Sequence, residues 1–182
     1  MNKLIILDRD GVINEDSDNY VRSVDEWIPI PGSIDAIARL SKTGFKIAVA
    51  TNQSGIARGF FNLDTLAAMH NKMTTLVVSL GGRIHSIKFC PHGPDDKCRC
   101  RKPAPGLIQQ IEEELGISAQ DAWLIGDSLR DLQAAREAGC KPVLVKTGKG
   151  ERTLAKGENL EDVPVYNNLA EFTDSLLMDI RQ

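Results

Sequence analysis

The chain has 182 residues, 42% of them hydrophobic, with 22 basic against 25 acidic side chains and a net charge of −3. That content suits a single domain, residues 1–182, with a buried core. The acidic balance and 5% aromatic content disfavour a phosphate-tracking nucleic-acid surface, and no apolar run nears the ~20 residues of a membrane span.

Leu4-Ile5-Ile6-Leu7 reads as a short strand buried on both faces, as in a parallel sheet. Asp8 and Asp10 follow at its end, on one side of an extended segment, with Arg9 expected to turn away. Gly11 then lets the chain turn sharply. Two carboxylates this close repel unless a cation relieves them, which points to Mg²⁺ with substrate phosphate oxygens. Residues 13–31 are rich in Asp, Asn and Ser, too polar for a core element, and read as a hairpin flap over the strand tips. A helix opens at Ser33, places Ile34, Ile37, Ala38 and Leu40 on one face, and stops at Gly44.

Phe45 to Ala50 is the second strand, tipped by Thr51-Asn52-Gln53-Ser54-Gly55, a hydroxyl-, amide- and glycine-bearing seat for phosphate. Asn62 or Asp64 caps the next helix, which turns Leu66, Met69, Met73, Leu76 and Val77 inward until Gly81-Gly82. A third strand spans Ile84 to Phe89, and a helix spans Ala104 to Leu115. The strand Ala122 to Ile125 is tipped by Gly126-Asp127-Ser128, with Asp131 beyond. A short helix reaches Ala138, the strand Pro142 to Val145 follows, and Thr147 to Gly150 is loop-like. A small edge strand near Val163–Tyr166 and a packing helix from Leu169 to Ile180 complete the chain. Alternating strands and helices predict a three-layer α/β fold: a Rossmann-like parallel sheet, helices on both faces, and no separate cap domain. Right-handed crossovers put every strand tip on one edge.

Those tips collect Asp8 and Asp10, Thr51 and Asn52, and Asp127, while Lys102 enters from the turn before a helix. The set supplies what phosphoryl transfer needs: a nucleophile, metal ligands, and donors for the equatorial oxygens. The sequence thereby resembles the haloacid dehalogenase superfamily of phosphatases, on Asp8-x-Asp10-Gly11-Val12, Thr51-Asn52, Lys102, and Gly126-Asp127 followed by Asp131. The match spans roughly Leu4 to Val145. The resemblance implies that Asp8 is the nucleophile and that Asp10 protonates the leaving alcohol and later activates water. It implies that Thr51 and Lys102 hold the phosphoryl oxygens. It also places Mg²⁺ between Asp8, the backbone carbonyl of Asp10, and Asp127. Asp131 reads equally well as a site residue or as an acid of a helix's first turn.

Cys90-x-His92 and Cys98-x-Cys100 bring three sulfurs and one imidazole within eleven residues, a closed tetrahedral zinc set with no open position and hence a structural one. Nothing apolar lies between Gly93 and Lys97 to order that loop by packing, so the metal supplies the order. The loop delivers Arg101 and Lys102 to the rim, where Arg101 suits a second phosphate or a sugar hydroxyl. Cys140 reads as ordinary core, and His70 and His85 as surface or helix residues.

Within the superfamily, a zinc loop on so small a scaffold is similar to two groups. One removes the 7-phosphate of a heptose 1,7-bisphosphate in lipopolysaccharide precursor synthesis, and the other dephosphorylates histidinol phosphate. Residues 51–59 and 14–20 look like the first, and the short loop between His92 and Cys98 looks like the second. Ser128 stands where the first group often has lysine. The resemblance makes Asp16, Ser17, Asn19 and Tyr20 of the flap, with Asn52, Gln53, Ser54 and Arg101, the substrate contacts. It implies a small-molecule sugar bisphosphate as the partner. A monomer in the cytoplasm is expected, since no signal-peptide h-region follows Met1 and no long apolar stripe asks for a partner.

Overall fold

A computed structural model describes residues 1–182. Six strands form one fully parallel sheet: β1 (Leu4–Leu7), β2 (Lys46–Asn52), β3 (Ser86–Cys90), β4 (Trp123–Gly126), β5 (Lys141–Val145) and β6 (Val165–Tyr166). Their spatial order is β3-β2-β1-β4-β5-β6. Six helices connect and cover them: α1 (Ser33–Lys42), α2 (Leu63–Ser79), α3 (Gly106–Leu115), α4 (Leu129–Glu137), α5 (Gly150–Lys156) and α6 (Leu169–Ile180).

The alternation within β1 explains why the sheet is buried twice. Ile5 and Leu7 face one core with Ile47, Val49, Ile37, Leu66, Met69 and Phe172, carried by β2 and by α1, α2 and α6. Leu4 and Ile6 face the other with Ala48, Ala50, Leu107, Ile111 and Ala134, carried by β2, α3 and α4. Each fully buried aliphatic side chain contributes roughly 1.5–3 kcal/mol, so a four-residue strand apolar on both faces is fixed in depth and register. That register pairs Leu7 with Val49 on one side and with Ile125 on the other. The chain leaves β1 toward β2 and β3, then returns to the opposite side at β4. The crevice between the tips of β1 and β4 is therefore the topological switch point, where open α/β sheets bind ligands.

Three features depart from the sequence expectations. Residues 13–31 do not form a hairpin: only isolated bridges join Asp10 with Asn14 and Asn14 with Pro29. Nor is the segment too polar for the core, since Ile13, Val21, Trp27 and Ile30 are buried and Ile13, Val21 and Trp27 belong to the larger core. Lys72 Nζ also donates to the carbonyls of Val24 and Trp27. The stretch after Thr147, expected to be a loop, turns into α5. The polar composition hides this short helix, which buries only Gly150 and Thr153. Finally, β3 begins at Ser86, two residues later than the apolar run. No helix is long and apolar enough to cross a membrane.

Candidate active site

At the switch point, Asp8 follows β1 directly, its N–H donating to Ile125 O of β4 (3.0 Å). Asp127 follows β4, and Asp131 sits in the first turn of α4. Carboxylate oxygens of Asp8, Asp127 and Asp131 all lie within 4.8 Å of one another. Lys102 Nζ enters this group, donating to Asp8 Oδ1 (2.8 Å), Asp131 Oδ1 (2.7 Å) and Ala50 O (2.7 Å). Lys102 and Asp131 are almost wholly buried, so their attraction is weakly screened. The other oxygen of Asp131 receives the N–H groups of Asp127 and Ser128 and the Ser128 hydroxyl. Asp131 thus fixes Lys102 and closes a capping box on α4. Asp131 is the first-turn acid of α4 and also lies within the carboxylate cluster. Ser128, where the first group often has lysine, is the N-cap of α4.

Burial and the nearby Asp131 push Asp8 up to about 7, against the pull of Lys102. Burial and the charges of Asp8 and Asp131 raise Asp127 well above the ordinary carboxylate range. Asp131 goes the other way: burial opposes it, yet Lys102 and the Ser128 donors hold it low. One ammonium among three carboxylates leaves the group negative, so the donor set fits a divalent cation. The backbone is shaped around Asp127 as well. A Cβ on Gly11 would lie 2.0 Å from Asp127 Oδ2, and one on Gly148 2.3 Å, and both glycines have positive φ. Lys149 N–H donates to the same Oδ2 (2.8 Å), and Thr147 Oγ1 donates to Gly11 O. This 147–150 loop was missed as part of the site, because nothing in its residue types marks it beyond glycine and lysine.

Asp10 lies beside the cluster with a separate set of partners. Its Oδ1 receives Arg9 Nη2 (2.8 Å), Arg9 Nε (3.2 Å) and Asn14 Nδ2 (2.8 Å), and its Oδ2 receives Gln53 Nε2 (3.0 Å). Burial would raise Asp10, but Arg9 and these amides hold it below the ordinary range. Arg9 does not turn away from both acids as expected: it is fully buried and pairs with Asp10. The chain leaves extended geometry at Asp8, so strand alternation no longer governs Arg9. His70 of α2 meets it, Nε2 3.2 Å from Arg9 Nη1. Burial and Arg9 lower His70 to about 3. His70 is therefore a helix residue, as expected, but a buried one, packed on Arg9.

A cleft of about 570 Å³ opens over these groups, lined by Asp8, Asp10, Asn52, Gln53, Ser54, Arg101, Lys102, Asp127 and Asp131, and by Asp16, Ser17 and Tyr20 of the 13–31 segment. Arg58, Arg130, Lys149 and Arg152 line it too. Two expected contacts are not at its surface. Thr51 is fully buried behind the tip of β2, its Oγ1 accepting from Gln53 Nε2 (2.8 Å). Asn19 is exposed and does not line the cleft; its backbone N–H donates to Ser17 Oγ and its carbonyl accepts from Arg22 Nε. Asn52 faces the cleft but is committed to Lys102, with Lys102 N–H donating to Asn52 Oδ1 (2.9 Å) and Asn52 Nδ2 to Lys102 O (3.0 Å).

The Cys/His loop begins where β3 ends. Ligand atoms of Cys90, His92, Cys98 and Cys100 lie within 4.8 Å of one another, with His92 Nδ1 3.4 Å from Cys90 Sγ and 3.3 Å from Cys100 Sγ. All are free thiols. Cys98 is lowered to about 6, burial notwithstanding, by the Arg101 backbone and the other two sulfurs. Three sulfurs and one imidazole converging with no disulfide fit Zn²⁺. Cys140 is buried apart from them, its thiol pushed up to about 12 by burial, as core placement requires.

Known proteins resemble this chain along almost its whole length. A family model described as HAD-hydrolase-like matches residues 99–172. The chain is 56% identical over 174 residues to the D-glycero-beta-D-manno-heptose-1,7-bisphosphate 7-phosphatase of Pseudomonas aeruginosa, covering 96% of this chain and 97% of that one. It is 52% identical over 179 residues to the protein of that name from Neisseria meningitidis, covering 97% and 96%. Among solved structures, a D,D-heptose 1,7-bisphosphate phosphatase from B. bronchiseptica complexed with magnesium and phosphate superposes with a TM-score of 0.94. It is 51% identical and covers 97% of this chain and 99% of that one.

Proposed function

Because the chain belongs to the HAD-like hydrolases and, within them, to the D-glycero-beta-D-manno-heptose-1,7-bisphosphate 7-phosphatases, we propose that its cleft hydrolyses a sugar bisphosphate through Asp8. The substrate is the heptose bisphosphate and the phosphate released is the 7-phosphate. The relatives' shared name favours this substrate over histidinol phosphate. The observation that carries the mechanism is the buried group of Asp8, Lys102, Asp127 and Asp131 at the switch point.

Asp8 is the nucleophile: Lys102 holds one of its oxygens and leaves the other toward the cleft. Asp10, held ionised in the free site by Arg9 and the amides, takes up a proton as the anionic phosphate arrives beside it. Asp8 then attacks the phosphorus, the bond from phosphorus to the sugar oxygen breaks, and Asp10 delivers that proton to the oxygen. Water then attacks the aspartyl phosphate, giving its proton to Asp10 and releasing inorganic phosphate. Lys102 stabilises charge on the phosphoryl oxygens. Thr51 assists by orienting Gln53, since its hydroxyl is buried and bonded there. Asp8, the carbonyl of Asp10 and Asp127 are the residues that would hold Mg²⁺, which supplies charge neutralisation when bound. Arg101, its pKa lowered by burial and by the nearby Arg130 and with one amino nitrogen buried without a partner, receives the phosphate that is retained. Asp16, Ser17, Tyr20 and Ser54 face the sugar, and Cys90, His92, Cys98 and Cys100 hold a structural Zn²⁺. The enzyme works as one domain, a cytoplasmic monomer with no nucleic-acid or membrane partner, in keeping with the acidic balance and a free small substrate.

The test is a phosphate-release panel with heptose 1,7-bisphosphate, fructose 1,6-bisphosphate and histidinol phosphate, with and without Mg²⁺. Heptose bisphosphate is expected to be the preferred substrate, and release to need Mg²⁺. Asp8→Asn is expected to lose about 10⁴-fold or more in kcat. Full activity in that variant would sink the nucleophile assignment.

A further inference from the structure

Arg9 is the one arginine of the chain with no exposed surface, and burying a guanidinium is costly unless its donors are used. Two of its nitrogens, Nε and Nη2, go to Asp10 Oδ1 and a third, Nη1, goes to His70 Nε2. It makes no other ion pair. Its carbonyl meanwhile accepts from the N–H groups of Val12, Ile13 and Asn14, closing the turn that follows β1. A guanidinium only donates, so His70 Nε2 must be the acceptor and Nδ1 must carry the ring proton. The ring is held by burial on α2 and by Phe89, whose centroid is 6.2 Å away.

We propose that Arg9 and His70 are positioning residues for Asp10, and that they make Oδ2 the oxygen that exchanges the proton. The two oxygens are not equivalent. Three N–H groups, two from Arg9 and one from Asn14, converge on Oδ1 and use up its lone pairs. Oδ2 accepts only from Gln53 and keeps room for a proton on the cleft side. His70 sets the angle of the guanidinium, and the guanidinium sets the rotation of the carboxylate. This inference rests on Asp10 acting as the acid and base in the mechanism above. In the first half-reaction the proton passes from Asp10 Oδ2 to the sugar oxygen as its bond to phosphorus breaks. In the second, a water proton returns to Oδ2 as the bond from water oxygen to phosphorus forms.

Leaving-group dependence separates this from a purely structural role. A sugar oxygen needs protonation to leave, whereas p-nitrophenolate does not. His70→Phe keeps a ring but removes the acceptor. It is expected to slow single-turnover release from the sugar bisphosphate about 10-fold or more, part of the roughly 10²–10⁴-fold supplied by general acid catalysis. The burst of p-nitrophenolate from p-nitrophenyl phosphate, which reports phosphorylation of Asp8, should change no more than about 2-fold. His70→Gln, whose amide oxygen can accept from Arg9, is expected to restore most of the sugar-bisphosphate rate. Should His70→Phe fail to fold, His70→Leu carries the same comparison. Equal slowing of both substrates, or no slowing of either, overturns the positioning role. Full activity of Asp8→Asn overturns instead the phospho-aspartate mechanism on which the inference rests.

Discussion

The acid cluster at the tips of β1 and β4 and the Cys/His loop of residues 90–102 border the same cleft, yet they are held by opposite means. Asp8 and Asp127 continue strands whose every residue but Trp123 is buried, so apolar packing sets their backbone. The loop has no regular element between Cys90 and Gly106, and Asp95, Asp96 and Lys97 at its tip are exposed. Its fixed points are the converging side chains of Cys90, His92, Cys98 and Cys100, the set proposed above to hold Zn²⁺. Lys102 stands at the join: its backbone is clamped to Asn52, its ammonium lies among the acids, and its chain leads from Cys100. Hydrophobic burial therefore fixes the anions, and the Cys/His loop carries the cation to them.

The sharpest way to break this comparison is at the join. Lys102→Met removes the ammonium but keeps the length of the side chain. It is expected to lower kcat about 10²–10³-fold, the scale of losing one preorganised charge-stabilising donor. It should also destabilise the fold by about 3–5 kcal/mol, because Asp131 is left buried and unpaired. A steady-state assay and chemical denaturation read both effects. Loss of activity with unchanged stability would mean that Asp131 has another counterion.

Zinc removal tests the loop alone. Chelation is expected to release one Zn²⁺ per chain and to lower kcat/KM about 10–100-fold, the range found when groups that orient active-site residues are lost. The sheet should persist, because neither core includes a residue between Pro91 and Cys98. Circular dichroism and a colorimetric zinc assay on the same sample separate the two outcomes. Cooperative unfolding on chelation would show that the loop carries the core.

How much was legible in the sequence follows the same division. The β1 and β4 runs each end in acids, so Asp8, Asp10 and Asp127 could be read from apolar patterning alone, and the Cys/His spacing needed no fold at all. What stayed hidden depended on direction. Strand alternation turns Arg9 away from its two acidic neighbours, but the bend after β1 brings its guanidinium back onto Asp10 Oδ1, fully buried. Asp131 reads as a capping acid, which it is, and nothing local says that Lys102 arrives from 29 residues earlier to meet it. Thr51 and Asn19 carry suitable chemistry but do not line the cleft, one being buried and the other exposed outside it. The helix α5 has no apolar period, and its loop joined the site through backbone N–H groups, which side-chain patterns do not reveal.

The smallest expected effect concerns pH, and it tests whether the acid cluster is as crowded as its geometry implies. A carboxyl whose pKa is raised by folding binds its proton more tightly in the native state, so stability falls as pH rises between its unfolded and folded values. For Asp8 that window runs from about 4 to about 7, and Asp127 is shifted in the same direction. Asp10 and Asp131 are lowered instead; their contribution is present above about pH 4 and is lost as pH falls below it. Metal-free protein should therefore melt at its highest temperature near pH 4–5 and lose several degrees by pH 7. Mg²⁺ should recover that loss at pH 7 and do little at pH 4, where Asp8 and Asp127 are protonated and poor ligands. Thermal melts across this range, with and without Mg²⁺, measure it. A melting temperature that rises from pH 4 to 7 without metal would show that Asp8 and Asp127 do not feel each other. The cluster would then be held by packing with no electrostatic debt for a cation to relieve.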